Sequence, residues 1–549
     1  MLLAAGIGLR DPWAPDEPRL VLSALEMARH GLWLQPSVGG VLFAADPPLY
    51  RWLLASLFSL GASVPGSFLV VSLLAALATL LLVTDLAVRL WGRRVGLAAA
   101  YMMLVSVQFT FQAKSAQVDM LVTWWTTLAL YGLLRHLLLG PDWRFWYIGC
   151  GALGCGLLTA VHAAVVLLII LPCFLVRALG WHLGPFLGSW RWFAGVLLML
   201  LPAALWFGVL WVFAASSTEN AWLAEQSLWS MLEAYVRPGA GMAPVWYYVI
   251  NVLLLMWLPL PLLLPWLIRR WHKSWLQKDP RVFIPLGWVL ISVVSLSILP
   301  TKESAYLLPL LPALVLAAAP AIPELLRQPG CSRVLFGLAA IAVLAVLAPF
   351  VYLIAVDFET LNAVLGRYTL PEGAIWLVGI SGLLGVGALV IFRGHGARAL
   401  LAVVTIFWVV YALGAAPMLN GLRSGKIVVQ ATEALVNPAI SLGLVDWREQ
   451  FLLHTRREVV HFGYKRADAD QAEFDAAAWV TVDAARLLLV PGPSIARCFG
   501  ESAAQMVAFA HRRYWYLVGP EDVREECIIR GNPGRAVHYP RSAPQTPVS

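Results

Sequence analysis

The stretch "WAPDEPRL" (residues 13–20) places two adjacent carboxylates, Asp16 and Glu17, between prolines, with Arg19 directly behind. Acids at this point of a largely apolar chain have two readings. Asp is a preferred helix N-cap, and Pro18 would then sit in the first turn, where proline is tolerated. A cap uses one acid and leaves Glu17 and Arg19 without a purpose. The chemical reading is a carboxylate at the membrane surface, where a lipid-borne substrate arrives.

Further candidates lie along the chain. Asp119, in "KSAQVDM", stands at the end of an apolar segment, and an acid inside such a segment is costly enough to suggest function. Its bland alternative is a pair with Lys114. Asp85 has Arg89 four residues on and reads as an ordinary i,i+4 pair. "ILPTKESAYLLPLLP" (298–312) carries Lys302, Glu303 and Tyr306 between two apolar segments. A lysine there suits a phosphate at head-group level, against the alternative of a plain loop charge. Asp468-Ala469-Asp470 imitates the metal-holding acidic pair of some sugar transferases, but no Gly-rich nucleotide site accompanies it. His162 in "LTAVHAA" has no partner at ligand spacing, so it reads as packed or water-bound. No metal set emerges, and a divalent metal finds no support in these residues.

The elements that position these groups are mostly apolar. A hydrophobic share of 60%, 26 tryptophans and 13% charged residues, with a mean hydropathy of +0.75, mark a polytopic membrane protein. Runs of about 20 apolar residues can cross a bilayer as helices. Twelve segments qualify: 66–90, 95–111, 116–139, 145–159, 160–176, 191–213, 245–268, 281–299, 303–322, 333–354, 373–393 and 397–419. Leu2–Leu9 is too short to cross and lacks the basic n-region and cleavage site of a signal peptide. It is expected to be the outer stub of a first helix.

Basic residues in short loops set the orientation. With residues 10–65 outside, inner loops hold sixteen Lys and Arg, and outer short loops hold four: Lys114, Arg237, Lys302 and Arg367. The net charge of +8 is thus a topology signal, and no nucleic-acid partner is expected. The sequence divides into a transmembrane domain (1–419), including a first external loop (10–65), and an exported C-terminal domain (420–549). In that loop, Pro18–Trp33 reads as an amphipathic helix ending near Gly31, and Leu49–Ala62 as a second apolar stretch. Both are expected in the membrane interface plane. The acidic, aromatic loop 214–244 is expected to fold over the same region. Apolar runs Ile427–Val429, Val459–Phe462, Leu487–Val490 and Tyr514–Val518 alternate with helix-like pieces Trp447–His454 and Ala472–Ala478, which predicts a compact α/β module. Cys498 and Cys527 are the only cysteines on the exported side, where disulfides persist, and are expected to be joined.

Taken in order, the acidic pair, the loop helix, "PPLYRWL", the intramembrane acid and "K-x-x-x-YLLPLLP" resemble the lipid-phosphosugar-dependent glycosyltransferases of the C-type membrane fold. The nearest relatives in pattern are the aminoarabinose–lipid A transferases and the dolichyl-phosphomannose protein mannosyltransferases, and the likeness covers roughly residues 10–320. It implies about twelve to thirteen transmembrane helices with an exported α/β domain. It also implies a polyprenyl-phosphate sugar donor, a glycolipid or protein acceptor, and a chain acting as a monomer among membrane lipids. By position, Asp16 matches the catalytic acid of the first loop, with Glu17 and Arg19 beside it, and Asp119 matches a second acid. Tyr306 and Lys302 match a tyrosine and a basic residue near the lipid phosphate, and Lys114 is a further candidate for that phosphate. The sequence departs from the family where Glu-Lys precedes the double proline (here Ala45-Asp46) and where Lys-Gly follows "GLLT" (here Ala160-Val161). Glu225-Gln226 stands where Glu-His is expected. Arg19, Lys114, Arg237 or Lys302 would then have to supply the missing phosphate contacts. Two other functions fit less well: a non-catalytic relative that binds lipid-linked sugar, and a transporter. Against transport, the acids cluster at one face, and no two-half symmetry is visible.

Overall fold

The computed structural model describes residues 2–34, 36–42, 47–184, 189–214, 243–368, 370–371, 373–464, 468–500, 504–511 and 513–540. Ala45, Asp46, Glu225, Gln226, Arg237 and almost all of the expected 214–244 cover lie outside these residues.

The chain is a multi-pass helical membrane protein with a small C-terminal α/β domain. Among the described residues, seven helices are long and apolar enough to cross a membrane: Val64–Trp91, Val161–Ala178, Trp190–Phe213, Pro280–Ile298, Pro329–Ala355, Gly373–Ile391 and Gly396–Arg423. Val249–Met256 and Leu260–Leu276 form a further pair bent by 82°. Segment 116–139 is the unbroken helix Val118–Leu138, and the remaining expected spans are shorter or broken helices. Segment 95–111 divides at Ser106, whose backbone is extended, into Arg93–Val105 and Val107–Gln112. Segment 303–322 begins as a 3-10 turn over Ser304–Leu310 and becomes α-helical at Leu311. The last helix runs through Arg423, a few residues beyond the expected boundary at 419.

Leu2–Leu9 forms turns, not a helical stub. The first-loop helix spans Glu17–His30, with Pro18 in its first turn and Arg29 and His30 in its last, where cations favour the dipole. Gly31 ends it in the left-handed conformation (φ 69°), its N–H donating to the Met27 carbonyl at 3.0 Å. Its position differs from the interfacial one expected. Leu20, Val21, Ala24, Leu25 and Met27 pack into the core of the membrane body, whereas Leu22 inserts into the core of the C-terminal domain. The amphipathic pattern is real, but its polar side faces protein: Glu26 is buried and accepts from Ser37 Oγ and, at 2.8 Å, from the Gly39 N–H. Burial of each large apolar side chain contributes about 1.5–3 kcal/mol as an upper figure. The second stretch forms the helix Leu49–Ser59, with Tyr50, Leu54, Ala55 and Phe58 buried.

A two-stranded hairpin, β1 (Ser37–Val38) and β2 (Val41–Leu42), follows the first helix. Among the described residues, the C-terminal domain holds six strands: β3 (Ser441–Leu444), β4 (Val459–His461), β5 (Arg486–Pro491), β6 (Gln505–Ala510), β7 (Arg513–Val518) and β8 (Val537–Tyr539). Their order is β6-β7-β5-β3-β4-β8; β5, β3 and β4 are parallel and the rest pair antiparallel. Helices Glu449–His454 and Ala469–Val480 make the two parallel crossovers. The Ile427–Val429 run is the start of a helix, Lys426–Leu435, whose Val428 and Val429 face the sheet core. Cys498 and Cys527 form a disulfide with Cα atoms 5.7 Å apart and a separation of 29 positions in sequence. A loop of that length contributes about 3–4 kcal/mol in the chain-entropy model.

Candidate functional site

The site is assembled where three breaks in helical structure meet. The first is the turn before the helix Glu17–His30. Its path is fixed by Asn420, which accepts from the Asp11 N–H (2.8 Å) and Trp13 Nε1 (3.0 Å) and donates to Asp11 Oδ2 (2.7 Å). The second is the start of the helix Val118–Leu138, where Asp119 lies in the first turn, a position the helix dipole favours for an anion. The third is the break at Leu158–Ala160, after which His162 enters a 3-10 turn. The Leu158 carbonyl accepts from the Leu49 N–H at 3.1 Å, tying this break to the second loop helix.

Together they enclose a cavity of about 220 Å³ whose chemically active walls are Asp16, Arg19, Asp119, His162, Glu303 and Tyr306. Asp16 does not cap its helix. Its backbone is helical, its carboxylate makes no capping bond, and Oδ2 accepts instead from Gln117 Nε2 at 3.3 Å. The carboxylate is thereby turned into the cavity. Asp119 is buried, and one of its oxygens lies 3.5 Å from His162 Nε2. The His162 ring packs on Tyr306 with centroids 4.9 Å apart. His162, read from sequence as a packed lone histidine, is therefore a partner of Asp119. Its partner sits 43 residues earlier, and only the fold joins them.

Three expected members stand elsewhere. Glu17 is not a substrate-binding side chain. Arg10 Nη1 and Nη2 donate to its two carboxylate oxygens at 2.6 and 2.7 Å, and the N–H groups of Trp13 (2.8 Å) and Ala116 (2.9 Å) complete its shell. Every oxygen of this buried acid is used internally. Lys114 is turned toward the N-terminal segment, its Nζ donating to the Ala5 carbonyl at 2.8 Å. Burial, and then the nearby Arg10 charge, lower its pKa to about 8. Lys302 lies between two cavity residues, but its Nζ donates to the carbonyls of Ala243 (2.9 Å) and Leu299 (2.8 Å) and does not line the cavity. Alternation along an extended segment sends neighbours to opposite sides, and Glu303 takes the inward position instead. Asp85 pairs with Arg89 at 2.6 Å and accepts from the Tyr131 hydroxyl. Asp468 caps its helix by accepting from the Gln471 N–H at 3.3 Å. Among the described residues, no three His, Cys, Asp or Glu side chains converge to hold a metal ion.

Chemically, the cavity offers two carboxylates that can accept a proton, an imidazole beside one of them, a phenol, and the Arg19 guanidinium. Its polar walls all belong to the apolar helical body, so a ligand with a lipid tail and a polar head suits its position.

Residues 45–207 match the family model of dolichyl-phosphate-mannose-protein mannosyltransferases. The chain is 28% identical over 336 residues to an undecaprenyl phosphate-alpha-4-amino-4-deoxy-L-arabinose arabinosyl transferase of Pseudomonas savastanoi pv. phaseolicola, covering 59% of each protein. It is 29% identical over 366 residues to the corresponding transferase 2 of Sodalis glossinidius, covering 63% of this chain and 62% of that one. The chain thus matches about three fifths of these relatives' own length. In structure it resembles ArnT from Cupriavidus metallidurans in the apo state, with TM-score 0.72, 18% identity and 97% of both chains covered. The same protein bound to undecaprenyl phosphate matches with TM-score 0.72 and 17% identity over 94% of this chain and 96% of that one. With its helical body, its first-loop helices and its C-terminal α/β domain, the chain shares the fold of these ArnT structures.

Proposed function

We propose that this protein is a glycosyltransferase that moves a sugar from a polyprenyl phosphate to a glycolipid or other exported acceptor at the outer face of the bacterial inner membrane. The observation that carries this reading is the convergence of Asp16, Asp119, Arg19 and Tyr306 on one cavity of the membrane body. The relatives' names supply the donor class, an undecaprenyl phosphate sugar.

In this reading Asp16 accepts the proton of the acceptor hydroxyl as that oxygen bonds to the anomeric carbon of the sugar. The bond from the anomeric carbon to the phosphate oxygen breaks, and polyprenyl phosphate leaves with the electron pair. Arg19 and the Tyr306 hydroxyl stabilise the charge that develops on the phosphate. Asp119 and His162 together form the second polar wall. The orientation rests on the distribution of basic residues: tags in the 271–280 loop are expected in the cytoplasm, and tags after residue 425 outside. A cytoplasmic C-terminal tag would remove the basis for placing the site at the outer face.

One observation favours a second reading. Both Lys114 and Lys302 spend their ammonium groups on backbone carbonyls, so Arg19 carries the phosphate with less help than expected. A chain that binds lipid-linked sugar without transferring it would show that pattern. The two readings separate in one experiment, which supplies purified protein with radiolabelled polyprenyl-phosphate sugar and bacterial membrane glycolipids. Transfer of label supports the enzyme; saturable binding with no release of polyprenyl phosphate supports the binder.

A further inference from the structure

The C-terminal domain contains a second cavity, of about 230 Å³, lined by residues from the ends of β3 and β4 and from the helices beside them. Its position in the fold is informative. The chain leaves β3 toward β4, then leaves β4 in the opposite sense, crossing back over β3 to reach β5. In open α/β sheets ligands bind outside the carboxyl ends of the strands, and this cavity lies at those ends of β3 and β4, one strand from the reversal between β3 and β5.

The charges in the crevice are uneven. Asp446, held at φ 44°, pairs with Arg513. Glu449 accepts from the Tyr464 hydroxyl at 2.6 Å. Glu473 accepts from Ser494 Oγ at 2.8 Å and from Arg497 Nη2 at 2.7 Å. Each acid is thus engaged by a donor of the protein itself. Arg448 lines the same space, is exposed, and has no hydrogen-bond or ion-pair partner among the described residues. The uncommitted charge is a guanidinium, the group best shaped to meet a carboxylate or phosphate. Trp447 and Tyr464 supply aromatic surface beside it, and the volume is below that of sites for drug-sized ligands, near the size of one sugar ring.

We propose that this crevice is a second binding site, one that holds an anionic sugar unit bearing a carboxylate or a phosphate, with Arg448 on the anion and Trp447 and Tyr464 beside the ring. The proposal rests on the function above, in which such a unit belongs to a membrane-borne acceptor. The two cavities are mechanically joined. Arg19 of the helix Glu17–His30 lines the first, and that helix packs on Glu449–His454, whose first residue lines the second. The Arg19 charge also reaches Tyr464. A glycan held in the crevice is thereby positioned near the helix that follows Asp16.

The test uses the full chain in nanodiscs, with glucose 6-phosphate and glucuronate as probes and glucose and inorganic phosphate as controls, read by isothermal titration and saturation-transfer NMR. Both charged sugars are expected to bind, with glucose and inorganic phosphate at least tenfold weaker. Arg448→Ala is expected to weaken the charged sugars about 10- to 100-fold, the loss typical of a hydrogen bond to a charged group. Arg448→Lys should restore part of that loss, and melting should stay near wild type. A glucuronosyl diacylglycerol in the bilayer should bind with the same dependence on Arg448; binding of the free sugars alone overturns the assignment to a membrane-borne acceptor. Equal binding to Arg448→Ala, or glucose or phosphate binding as tightly as the charged sugars, overturns the site. Donor consumption is measured separately on the same samples. Arg448-dependent sugar binding without donor consumption sinks the enzyme reading and leaves the site standing, and donor consumption without sugar binding does the reverse.

Discussion

His162 Nε2 lies 3.5 Å from an Asp119 oxygen, and the ring of Tyr306 packs on the imidazole with centroids 4.9 Å apart. An acid and an imidazole this close, in a cavity wall, are placed for the proton transfer that the proposed reaction needs. Replacing His162 by Phe keeps a ring against Tyr306 and removes both nitrogens. Turnover is expected to fall on the order of 10²-fold, with an altered pH profile and melting near wild type. Wild-type turnover and an unchanged profile would make His162 a packing residue.

Asp16→Asn tests the proposed base. Asp16 makes no capping bond, and its hydrogen-bond donor, Gln117 Nε2, can donate to an asparagine oxygen equally well. The substitution therefore removes the base and little else. Initial rates with labelled donor should drop by about 10²-fold or more, while donor binding persists. Normal turnover would move the base to another side chain, Asp119 first.

Glu17, one residue away, should behave oppositely. Glu17→Gln leaves Arg10 buried without its counter-charge, and breaking a buried pair costs about 3–5 kcal/mol. Lower melting temperature and poor recovery of folded protein are expected. Replacing Arg10 and Glu17 together by methionine should recover much of that stability. If Glu17→Gln melts like wild type but loses activity, Glu17 belongs to the catalytic site after all.

Acid should loosen the clasp between the β1–β2 hairpin and the C-terminal domain. His461 Nε2 donates to the Gly39 carbonyl at 2.7 Å, and Nδ1 accepts from the Gly463 N–H at 3.3 Å, which fixes a neutral ring. Burial holds its pKa down to about 4, with the Gly39 bond opposing the shift. The unfolded imidazole protonates near pH 6.5, so stability full at neutral pH is lost as the pH falls from about 6.5 to about 4. His511, also held near 4 by burial and by Arg448, Arg423 and Arg513, adds to the same slope. Hydrogen exchange at residues 37–42 should quicken across this window in wild type and much less in His461→Asn. Equal acceleration in both proteins would assign the effect elsewhere.

How much of this was legible in the sequence varied with the range of the interaction. The apolar runs, the α/β tail and the helix ending at Gly31 are local patterns, and each is present. Lys302 misled because its position in the loop was readable and its side-chain direction was not: one residue's turn exchanges it for Glu303. Glu17 misled because its partner, Arg10, lies in an irregular turn that no periodicity reports. The His162–Asp119 pair depends on two helices meeting at their ends, so spacing along the chain carried no trace of it. The first-loop helix had the pattern of a membrane-surface helix, and a protein surface satisfies that pattern equally well.

Leu22 points into one hydrophobic core while its neighbour Val21 points into the other. This single helix makes the molecule non-modular in the sense that matters to an engineer. A graft of the C-terminal domain onto a related membrane body would have to carry residues 17–42 with it, because these residues are as much the domain's lid as the body's rim. A protease cut between body and domain should leave the two halves associated, since one turn of Glu17–His30 is shared property.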